Sequence, residues 1–412
     1  MRSILGLKCV TCGAIYSTRV PYTCLSCGIT DGILDVQFDY NAIAHALTRR
    51  TFAARSERSQ WRYRELLPIR TGAKLPDLSV GWTPIIPTDR LARHIGLTSL
   101  FIKDDGRNPT GSLEDRASSI AAVRCHAKRQ KIIACAGNGN AAFSLAGMAA
   151  SMGLRSVIFV PQCTPEAKLI QLLIFGATVV RVQGSYEDAF QLCQRSCERR
   201  GWYNRNSAIN PYLVEGKKTV SFEICEQLDW QPPDWVAVPV GNGCTIAAVW
   251  KGFREMRQIG LIERTPRILG VIADSIAVGL PRNWRQAVIA VRESGGAMLN
   301  VGDNEILDAM SYTGRLSGIL AESAAAASVA GLKAAVAQGI VGRRANCLAI
   351  VTGSGLKDTQ SARHAVKAPF DIPPGGAGES EPRYSPRELP NVGKHGPRSV
   401  PEDNQATFYC LR

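Results

Sequence analysis

Between about residue 80 and residue 360, short runs rich in β-branched residues alternate with segments of helical pattern. The runs that each precede a helical segment are SLFIKDD, KIIACAG, RSVIFVP, ATVVRVQG, DWVAVPVG, RILGVIAD and NCLAIVTG. Strands that alternate with helices predict an α/β fold with largely parallel sheets. In such folds, ligands bind at the carboxyl ends of the strands, on loops that enter helix N-termini. The candidate functional loops of this sequence lie at such junctions.

The chain of 412 residues is too long for one small core, so two or three structural units are expected. Residues 1–35 hold two cysteine pairs and predict a zinc-ribbon-like unit. Residues 36–78 predict a helical arm, and residues 79–365 carry the alternating α/β pattern. Residues 366–412 are rich in proline and glycine and lack a periodic apolar pattern, which predicts a disordered tail.

Four cysteines near the start of the chain form two C-x2-C pairs, Cys9 with Cys12 and Cys24 with Cys27. Eleven residues separate the pairs, and a glycine that permits a tight turn follows each of them. Four thiolates suit a closed tetrahedral site, so the pattern predicts structural zinc. A rubredoxin-like iron site and a knuckle that folds without metal are the alternatives.

The net charge of +14 comes from basic residues that are scattered along the chain, with one concentration at residues 48–64. Because no nucleic-acid motif accompanies this charge, a nucleic-acid partner is not expected. A solvated helix face, or attraction of small anionic or phosphorylated molecules, explains the charge better. No apolar run approaches the ~20 residues of a membrane span, and the first apolar stretch is too short for a signal peptide. These features favour a cytoplasmic protein with no membrane partner.

The stretch VPVGNGCTIAAVWKGF, residues 238–253, has the pattern of a strand, a glycine-rich turn and a helix. Such a turn places backbone N–H groups and the positive end of a helix dipole around an anion. A tight structural turn is the alternative, because the stretch is neither a P-loop nor a clean G-x-G-x-x-G. The candidate anion-binding residues are Gly241, Asn242, Gly243, Cys244 and Thr245.

Two further loops also lie between a predicted strand and a predicted helix. In ACAGNGNAAFSLAGMAA, Asn140 is a candidate hydrogen-bond donor to a ring oxygen or a carboxylate, and Gly139 allows close backbone approach. A plain helix N-cap is the alternative for this turn. In VTGSGLKD, a hydroxyl of Thr352 or Ser354 is a candidate partner for a pyridine nitrogen.

Taken together, six stretches resemble threonine synthase, in the same order and at similar spacing, from residue 1 to about residue 365. They are WRYRELLPI, GWTPIIPTDRLARHIG, FIKDDGRNPTGSLEDRASS, NPYLVEGKKTVSFEI, VPVGNGCTIAAVWKGF and VTGSGLKD. Some threonine synthases also begin with a cysteine-pair ribbon. The resemblance implies the tryptophan-synthase-β-like fold, with two α/β domains that close over pyridoxal phosphate (PLP) and a mobile smaller lobe at roughly residues 115–215.

The same resemblance implies roles for the loops. The loop from Gly241 to Thr245 would hold the cofactor phosphate, Asn140 would contact the phenolic oxygen of the ring, and Thr352 would contact its nitrogen. In that family the reaction converts O-phosphohomoserine to threonine. Dimers are common in the family, so a homodimer is a candidate assembly, although the sequence does not determine the oligomeric state. The residues implied to contact substrate are Ser112, Gly139 and Lys218.

Three positions depart from the family pattern. Cys244 replaces a glycine that is common in the phosphate loop. Gly137 and Asn138 replace a pair that bears hydroxyl groups and binds the substrate carboxylate. The third departure is Glu114, which stands in GSLEDR where the family carries the lysine that forms a Schiff base with PLP.

A carboxylate cannot form an imine, so the usual covalent step is lost at Glu114. Neither Lys103 nor Lys357 occupies the matching position. The favoured hypothesis is a repurposed lyase or replacement enzyme, acting with noncovalent PLP or without it. In this hypothesis Glu114 is a general base if burial raises its pKa.

Three alternatives stay open at Glu114. The chain is a catalytically dead pseudoenzyme that serves as a binding or regulatory partner, or the lysine was removed deliberately to trap a complex. Glutamate at this position also suits the first turn of a helix, where the dipole favours an acidic residue, so its presence has a purely structural explanation too.

Overall fold

The computed structural model describes residues 4–18, 22–207, 209–276, 281–367 and 369. The strands are β1 (Ile4–Cys9), β2 (Ile15–Tyr16), β3 (Leu34–Phe38), β4 (Ile85–Pro87), β5 (Ser99–Asp104), β6 (Ile132–Ala136), β7 (Arg155–Pro161), β8 (Thr178–Val182), β9 (Tyr203–Asn204), β10 (Trp235–Pro239), β11 (Arg267–Ile272), β12 (Ala297–Asn300) and β13 (Asn346–Val351). The helices are α1 (Gly28–Asp31), α2 (Tyr40–Ala46), α3 (Arg49–Ala53), α4 (Asp89–Ile95), α5 (Glu114–Ala127), α6 (Asn140–Ser151), α7 (Glu166–Ile174), α8 (Tyr186–Arg200), α9 (Tyr212–Lys217), α10 (Thr219–Gln227), α11 (Cys244–Gln258), α12 (Trp284–Glu293), α13 (Asp303–Ser317), α14 (Ser323–Ala337) and α15 (Thr359–His364).

The N-terminal unit is a three-stranded antiparallel sheet in the order β2-β1-β3. It is attached to the body of the protein by Lys251 of α11, whose Nζ donates to Asp35 Oδ1 at 2.6 Å and to the carbonyl of Val36 at 2.8 Å. The predicted ribbon at residues 1–35 corresponds to this sheet, whose last strand ends three residues later, at Phe38.

The arm that follows contains two short α-helices, α2 and α3, and a 3-10 helix at Gln60–Leu66. One attachment is Arg62, whose Nε donates to both carboxylate oxygens of Glu226, at 3.0 and 2.9 Å. The hydroxyl of Tyr63 donates to the same carboxylate at 2.8 Å. The arm therefore lies against the helix α10 of the α/β body.

The larger lobe contains a six-stranded sheet in the order β12-β11-β10-β13-β5-β4, in which only β4 is antiparallel to its neighbour. Side chains of β10 alternate between two buried clusters, as the period of a strand requires. Val236 and Val238 lie in the cluster that contains residues of α11. Trp235 and Ala237 lie in the cluster that contains residues of α14. Helices therefore cover both faces, which explains the continuous apolar run of this strand.

The smaller lobe contains a four-stranded parallel sheet in the order β8-β7-β6-β9. Ile133 and Cys135 pack with residues of α5 and α6, and Ala134 packs with residues of α8 on the opposite face. The sheet runs from Ile132 to Asn204, within the predicted bounds 115–215. The predicted two-lobed α/β architecture with largely parallel sheets is confirmed, and the mobility of this lobe stays a prediction.

Two other predictions concern the ends and the surface of the chain. The tail predicted at residues 366–412 lies outside the described residues, apart from residues 366, 367 and 369. Within the described ranges, no helix has both the length and the apolar character needed to cross a membrane.

A fully buried ion network joins the start of α5 to the body of the protein. Arg116 donates to Asp105 Oδ2 at 2.7 Å and to Glu223 Oε1 at 2.5 Å, and its own side chain is 0% exposed. Lys103 adds a third charge pair, with its Nζ at 2.8 Å from Glu223 Oε2. Because the carboxylates are buried, they depend on Arg116 for compensation. The network fixes the helix that begins at Glu114.

We expect Arg116→Met to lower the free energy of unfolding by about 3–5 kcal/mol, because it leaves the buried Asp105 without its cation and leaves Glu223 with Lys103 alone. Arg264→Met is the matched control. It removes an ion pair with Asp234 whose two side chains are 51% and 46% exposed, and should cost no more than about 1 kcal/mol. Urea unfolding with an unchanged slope measures both values. Equal losses for the two variants would contradict the structural role of Arg116.

Candidate functional site

A cavity of 330 Å³ lies between the two lobes, where the carboxyl ends of β6 and β10 meet. Its walls come from the two Gly/Asn turns, from the start of α5, and from the segment between β9 and α9. A smaller cavity of 180 Å³ adjoins it and shares Glu114, Asn140, Gly241 and Thr245. The predicted loops are therefore together in space, at the edge where ligands bind in α/β folds.

The glycine-rich turn ends in Gly243, whose φ of +84° lies in the left-handed region. A Cβ at this position would lie 2.8 Å from the carbonyl oxygen of Asn283, so both the backbone angle and the space require glycine. α11 begins at the next residue, and the first N–H groups of a helix have no intrahelical acceptor. The turn therefore aims free N–H groups and a helix dipole at the cavity. Cys244 packs with Val214 and Ala248, and burial raises the pKa of its thiol.

Glu114 is the first residue of α5, and its carboxylate enters the cavity. Arg205 Nη2 donates to Oε2 at 2.5 Å, and Lys217 Nζ donates to Oε1 at 2.5 Å. Both cations are almost fully buried, at 1% and 3% exposure, while the Glu114 side chain is 19% exposed. We call these three residues the charge clamp.

The two cations of the charge clamp also have neutral partners. Arg205 Nε donates to Ser118 Oγ at 3.0 Å, and its Nη1 donates to Ser207 Oγ at 2.9 Å. Lys217 Nζ lies 3.3 Å from Thr245 Oγ1 of the glycine-rich turn. Lys217 therefore bridges the carboxylate of Glu114 and the candidate anion site.

The charge clamp determines the pKa of Glu114. Burial raises this pKa, but the charges and hydrogen bonds of Lys217 and Arg205 outweigh burial and lower it from 4.5 to about 2. The condition under which Glu114 would act as a general base, a pKa raised by burial, is therefore not met. The side chain is a carboxylate at neutral pH, and a carboxylic acid of such low pKa is a weak base once ionised.

A second carboxyl group borders the smaller cavity. Asn140 Nδ2 donates to Glu322 Oε1 at 2.7 Å, and Thr352 lines the same cavity. Burial raises the pKa of Glu322, and the hydrogen bond from Asn140 acts in the opposite direction. Sequence analysis missed Glu322, since an isolated glutamate before an alanine-rich helix carries no chemical signal of its own.

The residues predicted to contact substrate do not all lie at the cavity. Gly139 lines the larger cavity. Ser112 is fully buried, its Oγ has no hydrogen-bond partner among the described residues, and it lines neither cavity. Lys218 also points elsewhere, with its Nζ at 2.5 Å from Glu215 and 2.7 Å from Glu255.

Lys217 lines the cavity instead of the expected Lys218, because the side chains of successive helical residues differ by about 100° in direction. The two other lysines considered in the sequence, Lys103 and Lys357, are also engaged elsewhere. Lys103 lies in the buried network of Arg116. Lys357 donates to the carbonyl of Thr110 at 2.7 Å and does not line either cavity.

The four N-terminal cysteines come together as the spacing predicts. Their Sγ atoms all lie within 4.8 Å of one another, and those of Cys12 and Cys24 are 3.7 Å apart. Tetrahedral zinc with Zn–S bonds of about 2.3 Å requires sulfur atoms about 3.8 Å apart. The donor set is compatible with a metal-bound ribbon.

The fold and the cavity define a two-lobed α/β protein with a glycine-rich turn at the interlobe cleft. A model of the family described as pyridoxal-phosphate dependent enzyme matches residues 77–353. The chain is 35% identical to the threonine synthase of Methanocaldococcus jannaschii over 394 residues, which covers 89% of this chain and 96% of that protein. For the threonine synthase of Methanosarcina acetivorans the identity is 37% over 392 residues, or 88% and 95% of the two chains. The chain belongs to the family of pyridoxal-phosphate-dependent enzymes and is threonine synthase-like.

Solved structures of low sequence identity support the same fold. Diaminopropionate ammonia lyase from Escherichia coli, with an aminoacrylate-PLP intermediate, has a TM-score of 0.59 at 18% identity, over 69% of this chain and 86% of that chain. Threonine deaminase isoform 2 from Solanum lycopersicum has a TM-score of 0.58 at 20% identity, over 68% and 83%. The predicted tryptophan-synthase-β-like fold is thereby confirmed.

The residues of the cleft supply groups that fit PLP, but position 114 supplies no amine for its aldehyde. The turn at Gly243 supplies N–H donors for a phosphate, and the Asn242 Oδ1 atom is buried without a partner in the described part of the chain. Asn140 and Thr352 border the space beside it. The side chain at position 114, however, carries no amine.

The low pKa of Glu114 predicts a stability that depends on pH. A carboxyl group whose pKa is lower in the folded than in the unfolded chain stabilises the fold above about pH 4.5, and this contribution is lost as the pH falls towards 2. At neutral pH the free energy of unfolding of the wild type should exceed that of Glu114→Gln by about 3 kcal/mol, and this difference should shrink below pH 4.5. Urea unfolding of both chains across this range measures the difference.

Glu322→Gln is the control for this measurement. The raised pKa of Glu322 means that its charged form opposes folding. The wild type should therefore gain stability relative to Glu322→Gln as the pH falls, the opposite direction to Glu114→Gln. The same direction for both variants would show that the charge clamp does not set the state of Glu114.

Proposed function

We propose that this chain is a PLP-dependent, lyase-type enzyme that acts on a small anionic or phosphorylated amino-acid-like substrate, without a Schiff-base lysine at position 114. The observation that carries the proposal is the cleft itself. Its anion-binding turn, Asn140 and Thr352 surround one cavity, although the side chain at Glu114 has changed. A chain kept for its surface alone has no physical need of such a cavity.

Charge in the cleft supports an anionic ligand. Within the charge clamp, two cations face one carboxylate, so a net positive charge remains beside the glycine-rich turn. Arg282 also lines the cavity, and its Nη2 lies 2.7 Å from Glu187, a side chain that is 43% exposed. Because a buried cation is costly without a partner, an anion that enters this cleft is attracted to it.

When bound, PLP supplies an electron sink for carbanion chemistry. Residues of the chain bind the phosphate, orient the cations of the cleft and hold a proton. The turn from Gly241 to Thr245 binds the phosphate, and Glu114 orients Lys217 and Arg205 rather than moving a proton. Glu322 also borders the cleft, and there burial outweighs the opposing hydrogen bond from Asn140, so the pKa of its carboxyl group lies above its ordinary value. We therefore assign to Glu322, in place of Glu114, the task of holding a proton beside the ring.

A catalytically inactive partner protein is the second candidate. It is favoured by Glu114, because the charge clamp satisfies the buried cations without any ligand. The two candidates differ in whether the cleft binds a phosphorylated ligand. Cytoplasmic location and a homodimer stay predictions in either case.

We expect the protein to bind PLP, and to bind pyridoxal at least about tenfold more weakly, because pyridoxal lacks the phosphate for which the N-terminus of α11 supplies N–H donors. Thr245→Val should weaken PLP binding, since it removes a hydroxyl from the turn. Thr178→Val, on an exposed position of β8, is the control and should leave binding unchanged. Titration followed by PLP absorbance and by protein fluorescence gives the affinities.

Inorganic phosphate should compete with PLP in the same titration. Equal affinity for PLP and pyridoxal would contradict the proposed role of the turn. An absence of binding for PLP and for phosphate would overturn the enzyme proposal and favour the inactive partner.

We also propose that the ribbon holds one structural zinc ion on Cys9, Cys12, Cys24 and Cys27. The proposal is supported by four Sγ atoms within 4.8 Å and by a closed thiolate set that leaves no ligand position for water. Zinc would fix a sheet whose own core is small, and which contacts α11 through Lys251.

Metal analysis should find zinc in the purified protein, and Cys24→Ser should lose it together with thermal stability of the ribbon. Cys225→Ser, at a buried cysteine of α10 outside the ribbon, is the control and should retain the zinc. Iron in place of zinc would correct the identity of the metal. Full stability of a metal-free wild type would show that the ribbon folds without an ion.

A further inference from the structure

We infer that Lys217 supplies the amine that the chain lacks at position 114, and that it condenses with the aldehyde of PLP from the adjoining end of α9. The inference rests on the proposed function, since it requires PLP in this cavity. The juxtaposition that carries it is Lys217 Nζ at 2.5 Å from Glu114 Oε1 and 3.3 Å from Thr245 Oγ1.

The position of this nitrogen is the first reason. A lysine side chain places its nitrogen one bond further from Cα than a glutamate places its carboxylate oxygens. A lysine at position 114 would therefore end close to where the hydrogen-bonded Lys217 Nζ now lies. The exchange at Glu114 removes an amine from α5, but the last residue of α9 returns an amine to the same region of the cavity.

The second reason is the placement of the other lysines. Among the described residues that line the two cavities, Lys217 is the one lysine. Lys218 is held between Glu215 and Glu255, and Lys103 is held by Glu223, all in fully buried ion pairs. Each of these lysines would have to give up its buried ion pairs in order to reach the cleft.

The third reason concerns the role of Glu114. The carboxylate accepts a hydrogen bond from Lys217 and another from Arg205, and therefore restricts where the Lys217 nitrogen lies. After Lys217 has reacted, Arg205 remains as the partner of Glu114, so the carboxylate is not left uncompensated. Glu114 is therefore a positioning residue for the amine.

The covalent step balances without any further reagent. Lys217 first releases its ammonium proton to solvent. The neutral amine then attacks the aldehyde carbon, a carbon–nitrogen double bond forms, and the carbonyl oxygen leaves as water with the two remaining amine protons. No oxidant or reductant is needed.

The test is to incubate the full-length protein with PLP, reduce it with borohydride, and locate the stable phosphopyridoxyl group by peptide mass spectrometry. We expect a modified peptide that contains Lys217, and loss of that modification in Lys217→Arg, which keeps the positive charge beside Glu114. Lys357→Arg is the matched control, because Lys357 lies near the cleft without lining it, and it should be modified at Lys217 like the wild type. Glu114→Gln should change the rate of modification at fixed pH but not its site.

Affinity for PLP, measured by fluorescence before reduction, separates the two proposals. If PLP binds but reduction labels no peptide, or a peptide without Lys217, the inference about Lys217 is overturned while the proposed function stands. If PLP does not bind to the wild type, both fail. Unchanged circular dichroism of Lys217→Arg confirms that a loss of labelling does not come from unfolding.

Discussion

The carboxylate of Glu114 lies between the side chains of Arg205 and Lys217, and this charge clamp governs the cleft. Glu114 begins α5, Arg205 follows β9, and Lys217 ends α9. Without the carboxylate, two nearly buried cations would face each other across a small cavity at high electrostatic cost. The charge clamp therefore both stabilises the junction of three segments and decides which groups a ligand meets.

The charge clamp also explains how the carboxylate at position 114 affects the chemistry of the whole site. A carboxylate held at a pKa of about 2 neither forms an imine nor accepts a proton readily. Its two cationic partners, however, keep the cavity attractive to an anion. The positive charge of the cleft comes from Arg205 and Lys217, and Lys217 also carries the amine that lines the cavity. The carboxyl group with the raised pKa belongs to Glu322, beside Asn140. None of these residues lies in the loop around position 114.

Most of the fold could be predicted because its signals are local: alternation of strand and helix patterns, two C-x2-C pairs, and glycine turns before helices. The site could be predicted only in part. The partners of Glu114 lie 91 and 103 residues further along the chain, and nothing local marks Arg205 or Lys217 as its neighbours. Lys218 and Lys217 stand side by side in the sequence, and only the direction of the helix decides which of them faces the cavity. The pKa of Glu114 likewise depends on these distant cations, and burial alone gives the wrong direction.

A double-mutant cycle between Glu114 and Lys217 tests the charge clamp most directly. The free energies of unfolding of the wild type, Glu114→Gln, Lys217→Met and the double variant give the coupling between the two side chains. We predict a favourable coupling of about 1.5–3 kcal/mol at neutral pH, as expected of a close, desolvated ion pair. A coupling below about 0.5 kcal/mol would mean that the two side chains act independently, and would contradict the central role of the Glu114 carboxylate in the cleft.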